Sequence, residues 1–167
     1  FVPEDRHRDA GISAWTLVEN LALKEAGSVR GIMAWDAYRA RAESCVRSQD
    51  VRATGVDDPM AALSGGNQQK LVLGREIDAD PAVLLVGQPT RGVDIGAIEH
   101  IHRRLLALRD AGKAILLVSV ELDEILALSD RIIVLVDGAI VGELARAEAT
   151  EERLGLLMAG VRNSGAA

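Results

Sequence analysis

Aromatic side chains are nearly absent: one Phe, one Tyr and two Trp make up 2% of 167 residues. A core must therefore be built from Val, Leu, Ile and Ala, and these are plentiful, since 49% of the chain is hydrophobic and mean hydropathy is +0.13. Cysteine is reduced to Cys45, which excludes an intrachain disulfide and fits a reducing compartment. Basic charge is in deficit. Nineteen Lys and Arg against 25 Asp and Glu leave a net charge of −6, whereas a nucleic-acid surface needs a basic stripe to neutralise phosphates. Long apolar runs are missing as well. The longest, Ala114–Val118 and Ile132–Val136, are strand-length, far below the ~18 to 20 residues of a membrane-spanning helix. The opening Phe1-Val2-Pro3-Glu4-Asp5-Arg6 has no initiator Met and no basic-then-apolar leader, and it reads as a start inside a longer chain.

What is present falls into two textures. Residues 1–62 are charged, Ala-rich and helical in pattern, with expected helices over Ile12–Leu23 and Gly31–Ser48 (Ile32, Trp35, Ala37, Tyr38, Ala42, Cys45 and Val46 forming the apolar stripe), broken at Asp57-Asp58-Pro59. Residues 63–160 alternate short apolar runs with helical stretches. Val83–Val86 reads as a buried strand, Ala97–Asp110 as a helix with Ile98, Ile101, Leu105 and Leu108 on one face, and Ile115–Ser119 as a second strand. A short helix at Glu121–Leu128 precedes Ile132–Val136 and Ile140–Glu143, which flank the hairpin dipeptide Asp137-Gly138. A last helix over Thr150–Ala159 is capped by Thr150, and residues 161–167 read as a flexible tail. Strand, helix, strand, helix, strand predicts a parallel α/β sheet, with the hairpin adding antiparallel strands to one side.

The strongest motif is Leu63-Ser64-Gly65-Gly66-Asn67-Gln68-Gln69-Lys70 before a helical stretch. Ser64 can cap the helix, and two glycines let backbone approach an anion at its positive end. Alone, such a string is more often an ordinary glycine loop before a helix. Asp94 reads on its own as a cap for the helix from Ala97. The histidines form no metal pair: His100 and His102 are two apart on a helix, His7 lies in a charged loop, and all three read as solvated surface. No Gly-x-x-x-x-Gly-Lys-Ser/Thr phosphate loop occurs anywhere in the chain.

Ser64 to Lys70 resembles the signature loop of ATP-binding-cassette ATPases, and the Asn-Gln-Gln-Lys ending resembles the two-cassette subunits of bacterial sugar and nucleoside importers. Gln88-Pro89-Thr90-Arg91-Gly92-Val93-Asp94, then Ile98-Glu99 and Ile101-His102, look closer to the nucleoside-uptake members. The resemblance spans about Phe1 to Gly160 and implies the C-terminal part of a second cassette: a phosphate-loop-type α/β core lacking the phosphate loop, plus an α-helical subdomain.

By that resemblance Ser64, Gly65, Gly66, Asn67 and Gln68 close over ATP held by a partner cassette, and Asp94 belongs to the loop that crosses the dimer. Glu4 falls where many cassettes place a glutamine that senses Mg²⁺ and the membrane partner; the plainer reading of that stretch is a charged loop. Gly87 and Gln88 stand where the family has a metal-ordering Asp and a basic Glu, and Val120 where it has a switch histidine. Gly holds no metal, Gln accepts no proton and Val does neither, so this cassette's own site is expected to be degenerate. ATP with Mg²⁺ is implied for the intact assembly and none for the chain alone. The implied partners are a first cassette in the same parent chain and membrane permease subunits, at the cytoplasmic face of the membrane, with the isolated chain self-associating through uncovered apolar faces. Two rivals differ in class. A chromosome-maintenance ATPase would need a long heptad arm and basic surface, and neither is present. A catalytically silent cassette that only scaffolds a dimer is distinguished by whether Ser64 matters to turnover.

Overall fold

The computed structural model describes residues 1–28 and 30–160, so the tail expected at 161–167 lies outside the described residues. The chain divides into two compact units, Phe1–Val118 and Ser119–Ala167.

In the first unit, the helix expected from Ile12 begins later, as α1 (Leu17–Ala22). A reciprocal cap sets the start: Glu19 N donates to Thr16 Oγ1 at 3.2 Å, and Thr16 N donates to Glu19 Oε2 at 2.7 Å. The residues before it wrap around buried Asn20, whose amide donates to the carbonyls of Ile12, Trp15 and Thr16 and accepts from Ile12 N. Helix α2 (Trp35–Ser48) likewise starts four residues late. Gly31 has φ +99°, outside helical space, and Ile32 is left exposed, so the buried stripe shrinks to Tyr38, Ala42 and Cys45. Helix α3 (Gly65–Asp78) takes α2 at close range. A Cβ on Gly74 would stand 2.5 Å from Gln49 Cγ and 2.6 Å from Cys45 Sγ, a space only hydrogen fits.

Strands β1 (Val83–Gly87) and β2 (Ala114–Val118) are parallel, in register from Val83 beside Ala114 to Gly87 beside Val118. The crossover between them carries α4 (Ile95–Asp110), which buries Ala97, Ile101 and Leu105 while Ile98 and Leu108 are half-buried. The other edge of β1 is met by Val2: its N–H donates to Leu85 O, and its carbonyl accepts from Gly87 N, both at 2.8 Å. β1 is not the doubly buried strand that its apolar run suggests. Leu84 and Val86 are buried, but Val83 and Leu85 are exposed.

The second unit holds α5 (Leu122–Leu128), β3 (Arg131–Val136), β4 (Ala139–Ala145) and α6 (Glu151–Met158). β3 and β4 pair antiparallel through Asp137 (φ +49°) and Gly138 (φ +77°), the two positive angles that a tight primed turn requires. The hairpin forms a two-stranded sheet of its own rather than extending β1–β2. Its inner face, Ile132, Val134 and Leu144, packs with Ala149 and Leu154, and Leu122, Ile125 and Leu126 lie against that cluster.

Candidate nucleotide-facing surface

Ser64 caps α3 as its sequence predicts: Asn67 N donates to Ser64 Oγ at 3.4 Å, and Gln68 N to the Ser64 carbonyl at 2.9 Å. The N–H groups of Gly65 and Gly66, at the first two helical positions, have no acceptor within the helix. They lie at the positive end of a 14-residue helix, where an anion is stabilised, Gly65 half-buried and Gly66 buried. Asn67 Nδ2 donates to Ser64 Oγ at 2.9 Å, and its Oδ1 accepts from Arg52 N at 3.0 Å. The Gln68 side chain turns inward. It is buried, and its amide donates to Met60 O at 3.2 Å and Leu63 O at 3.0 Å, so it holds the loop that leads into the helix. Lys70 is equally internal, donating to the Asp50 carbonyl at 3.0 Å.

Asp94 caps the second long helix, with Ala97 N donating to its Oδ1 at 3.0 Å. The two helix starts converge. A Cβ on Gly66 would lie 2.7 Å from Asp94 Oδ2 and 2.8 Å from Ala97 Cβ, so the Ser64–Gly66 turn and the Asp94 loop share one surface of the first unit. This gives the second glycine a packing reason beyond ligand approach. Gly65 faces the other neighbour, a Cβ there falling 2.6 Å from Arg6 Nη2. The first turn of α3 is thus flanked by a carboxylate on one side and a guanidinium on the other.

Arg6 and Arg91 are participants that sequence reasoning passed over, because an arginine in a charged loop is ordinarily a solvated side chain. Arg6 donates from Nη1 to Arg91 O at 2.9 Å and from Nη2 to Gly92 O at 3.3 Å. Arg91 in turn pairs with Glu4, Nη1 to Oε1, at 2.5 Å. Glu4 therefore stands beside the tip of β1: a Cβ on Gly87 would come 3.3 Å from Glu4 N. Gln88 follows with φ +45°, its N–H donating to Val118 O at 2.8 Å.

This strand tip has no carboxylate on it, and among the described residues no group of three His, Cys, Asp or Glu side chains could hold a metal. Mg²⁺ does not fit the donor set of this chain's own strand end. Val120 belongs to the second unit, between β2 and α5, and is exposed. His7 is exposed, but His100 is not the solvated residue expected from sequence: it is half-buried 3.4 Å from Gln49 Oε1, and desolvation, with Lys70 nearby, holds its imidazole below the usual value. Burial pushes the Cys45 thiol up to about 11, which leaves it protonated and inert near neutrality.

No protein-family model matches the chain. Among solved structures, it aligns with a dimeric post-hydrolysis state of the ATP-binding cassette MJ0796 bound to ADP and Pi, with TM-score 0.68, 29% identity, and coverage of 81% of this chain and 58% of that one. The chain carries part of the ATP-binding-cassette fold. Among curated proteins, it is 48% identical over 163 residues to a nucleoside import ATP-binding protein, NupA, of Lactococcus lactis, a match that covers 95% of this chain and 32% of that one. It is 41% identical over 169 residues to a ribose import ATP-binding protein, RbsA 2, of Rubrobacter xylanophilus, which covers 100% and 33%. The chain thus spans about a third of the length of the curated relatives it matches. Among the described residues, no helix of this partial cassette is long and apolar enough to cross a membrane.

Proposed function

We propose that this partial cassette belongs to the ATP-hydrolysing subunit of an importer for nucleosides or simple sugars, and that it lends its signature turn in trans to ATP held by a partner cassette. The observation that carries the reading is the meeting of Gly66 with Asp94. The two elements assigned by resemblance to a partner's nucleotide, far apart in sequence, form one surface with two helix N-termini behind it. The Gly65 and Gly66 N–H groups, with Ser64 as cap, are the donors for a terminal phosphate; Asn67 holds the turn, and Gln68 supports it from inside.

In this reading, residues 1–62 act as the helical signalling part and residues 63–160 as the C-terminal core, with a first cassette in the same parent chain and permease subunits at the cytoplasmic face of the membrane. Mg²⁺ and the catalytic base come from the first cassette, since Gly87 and Gln88 supply neither, and this cassette's own composite site is slow or silent. Changing Ser64 to Arg in the full-length protein tests the proposal. The new side chain fills the space in front of the Gly65 and Gly66 N–H groups, and ATP turnover is expected to fall by at least about a hundredfold, the scale of losing oriented donors at a developing charge. Turnover that survives would leave this cassette as a dimer scaffold only.

A further inference from the structure

Arg6 makes contacts that its place in a charged loop does not call for. Its guanidinium spans two successive carbonyls, Arg91 O at 2.9 Å and Gly92 O at 3.3 Å. Gly92 has φ +66°, and its carbonyl would also be 3.2 Å from a Cβ on Gly65, so the loop folds tightly between the arginine and the start of α3. The Nε of Arg6 is buried without a hydrogen-bond partner, a loss that a freely solvated arginine would not incur. Two supports fix its backbone. Asp5 Oδ1 accepts from His7 N at 3.0 Å and Arg8 N at 3.2 Å, and the Glu4–Arg91 pair braces the same loop from the neighbouring side.

We propose that Arg6 is a positioning residue that locks the Glu4 segment and the 91–94 loop to the first turn of α3, so that the nucleotide-facing surface moves with that segment as one body. The inference rests on the trans reading given above. Without the clamp, the Asp94 loop and the signature turn lose their common anchor, and a surface that must close over a nucleotide as a unit closes less favourably. The fork geometry is essential, because a lysine ammonium is a point donor and does not hold two carbonyls in one plane.

The test uses the full-length protein with Arg6→Lys, Arg6→Ala and Ser64→Arg, measuring ATP turnover against ATP concentration together with thermal melting. Both Arg6 variants are expected to raise KM for ATP about tenfold, the scale of a coupling between sites. Their kcat at saturating ATP should change less than about twofold, and Tm should be unaltered. A KM within about twofold of the unsubstituted protein would overturn the inference, as would rescue by Lys, which would mean that charge alone suffices. A KM rise that tracks a fall in Tm would overturn it too, making Arg6 a fold residue. Ser64→Arg separates the two levels: turnover that survives it removes the trans reading itself, whereas turnover lost there with normal Arg6 variants removes the clamp alone.

Discussion

At the residue scale, the glycines that open α3 carry more constraint than flexibility. Gly66→Ala would ordinarily gain helix propensity, by about 0.5 to 1 kcal/mol, but its methyl would collide with Asp94 Oδ2 and Ala97 Cβ. Neither neighbour can step aside, since Asp94 is fixed as a cap and Ala97 is buried in α4. Overpacking of this kind costs about 1 to 3 kcal/mol, so a net loss of about 1 to 2 kcal/mol is expected in urea unfolding. Gly155→Ala is the control. It lies inside α6 with nothing within 4 Å of the added methyl, and should raise stability by up to about 1 kcal/mol. Equal responses of the two variants would refute the packing argument. The sequence made Ser64, Gly66 and Asp94 legible as a cap, a close approach and a second cap. It left their mutual contact invisible, because nothing in a linear string says that two helix starts 30 residues apart touch. The inward direction of the Gln68 side chain is equally hidden in a linear string, since motif spacing does not show its amide donating to Met60 O and Leu63 O.

Among the elements, those with a strong punctuator are legible in the sequence. α3, α4 and α6 begin where Ser64, Asp94 and Thr150 cap them, and the Asp137-Gly138 hairpin turns where its dipeptide demands. α1 and α2 start later than their apolar pattern suggests, because the Thr16–Glu19 box and the φ of Gly31 decide the boundary. Besides its buried apolar stripe, α2 carries a polar network to its neighbours. Arg41 on α2 donates from Nη1 to Glu25 Oε1 at 2.6 Å and from Nη2 to Asp78 Oδ2 at 2.7 Å, and the Tyr38 hydroxyl donates to Glu25 at 2.9 Å. The Arg41 guanidinium beside Glu25, with the Tyr38 hydroxyl, holds that carboxyl below its ordinary value of 4.5. A lowered folded-state value means that the contribution is complete above about pH 4.5 and is lost as pH falls through the folded value. Both partners are partly solvated, so the network is worth roughly 1 kcal/mol or less. Arg41→Met should therefore lower Tm by at most about 2 to 4 °C at pH 7. That difference should shrink in melts between pH 4.5 and pH 3; a constant gap down to pH 3 would exclude the Glu25 contribution.

For the molecule as a whole, the decisive feature is one bare face of the β1–β2 sheet. Val83 (60% exposed), Leu116 (57%) and Val118 (59%), with Leu85, all point away from the side that buries Leu84 and Val86. β2 is paired on its β1 side alone among the described residues, leaving the other backbone edge open. An apolar sheet face beside an unpaired edge drives association in water. In light scattering, the isolated 17.8 kDa chain is expected to show a mass above that of the monomer, rising with concentration. Leu116→Lys tests the cause. It places a charge at the register position opposite Leu85, on the exposed face where no core contact is disturbed, and it should return the mass to 17.8 kDa with an unchanged Tm. Association through another surface would survive that substitution. A single monomeric species of the unsubstituted chain at high concentration would mean that the face is tolerated in water as it stands.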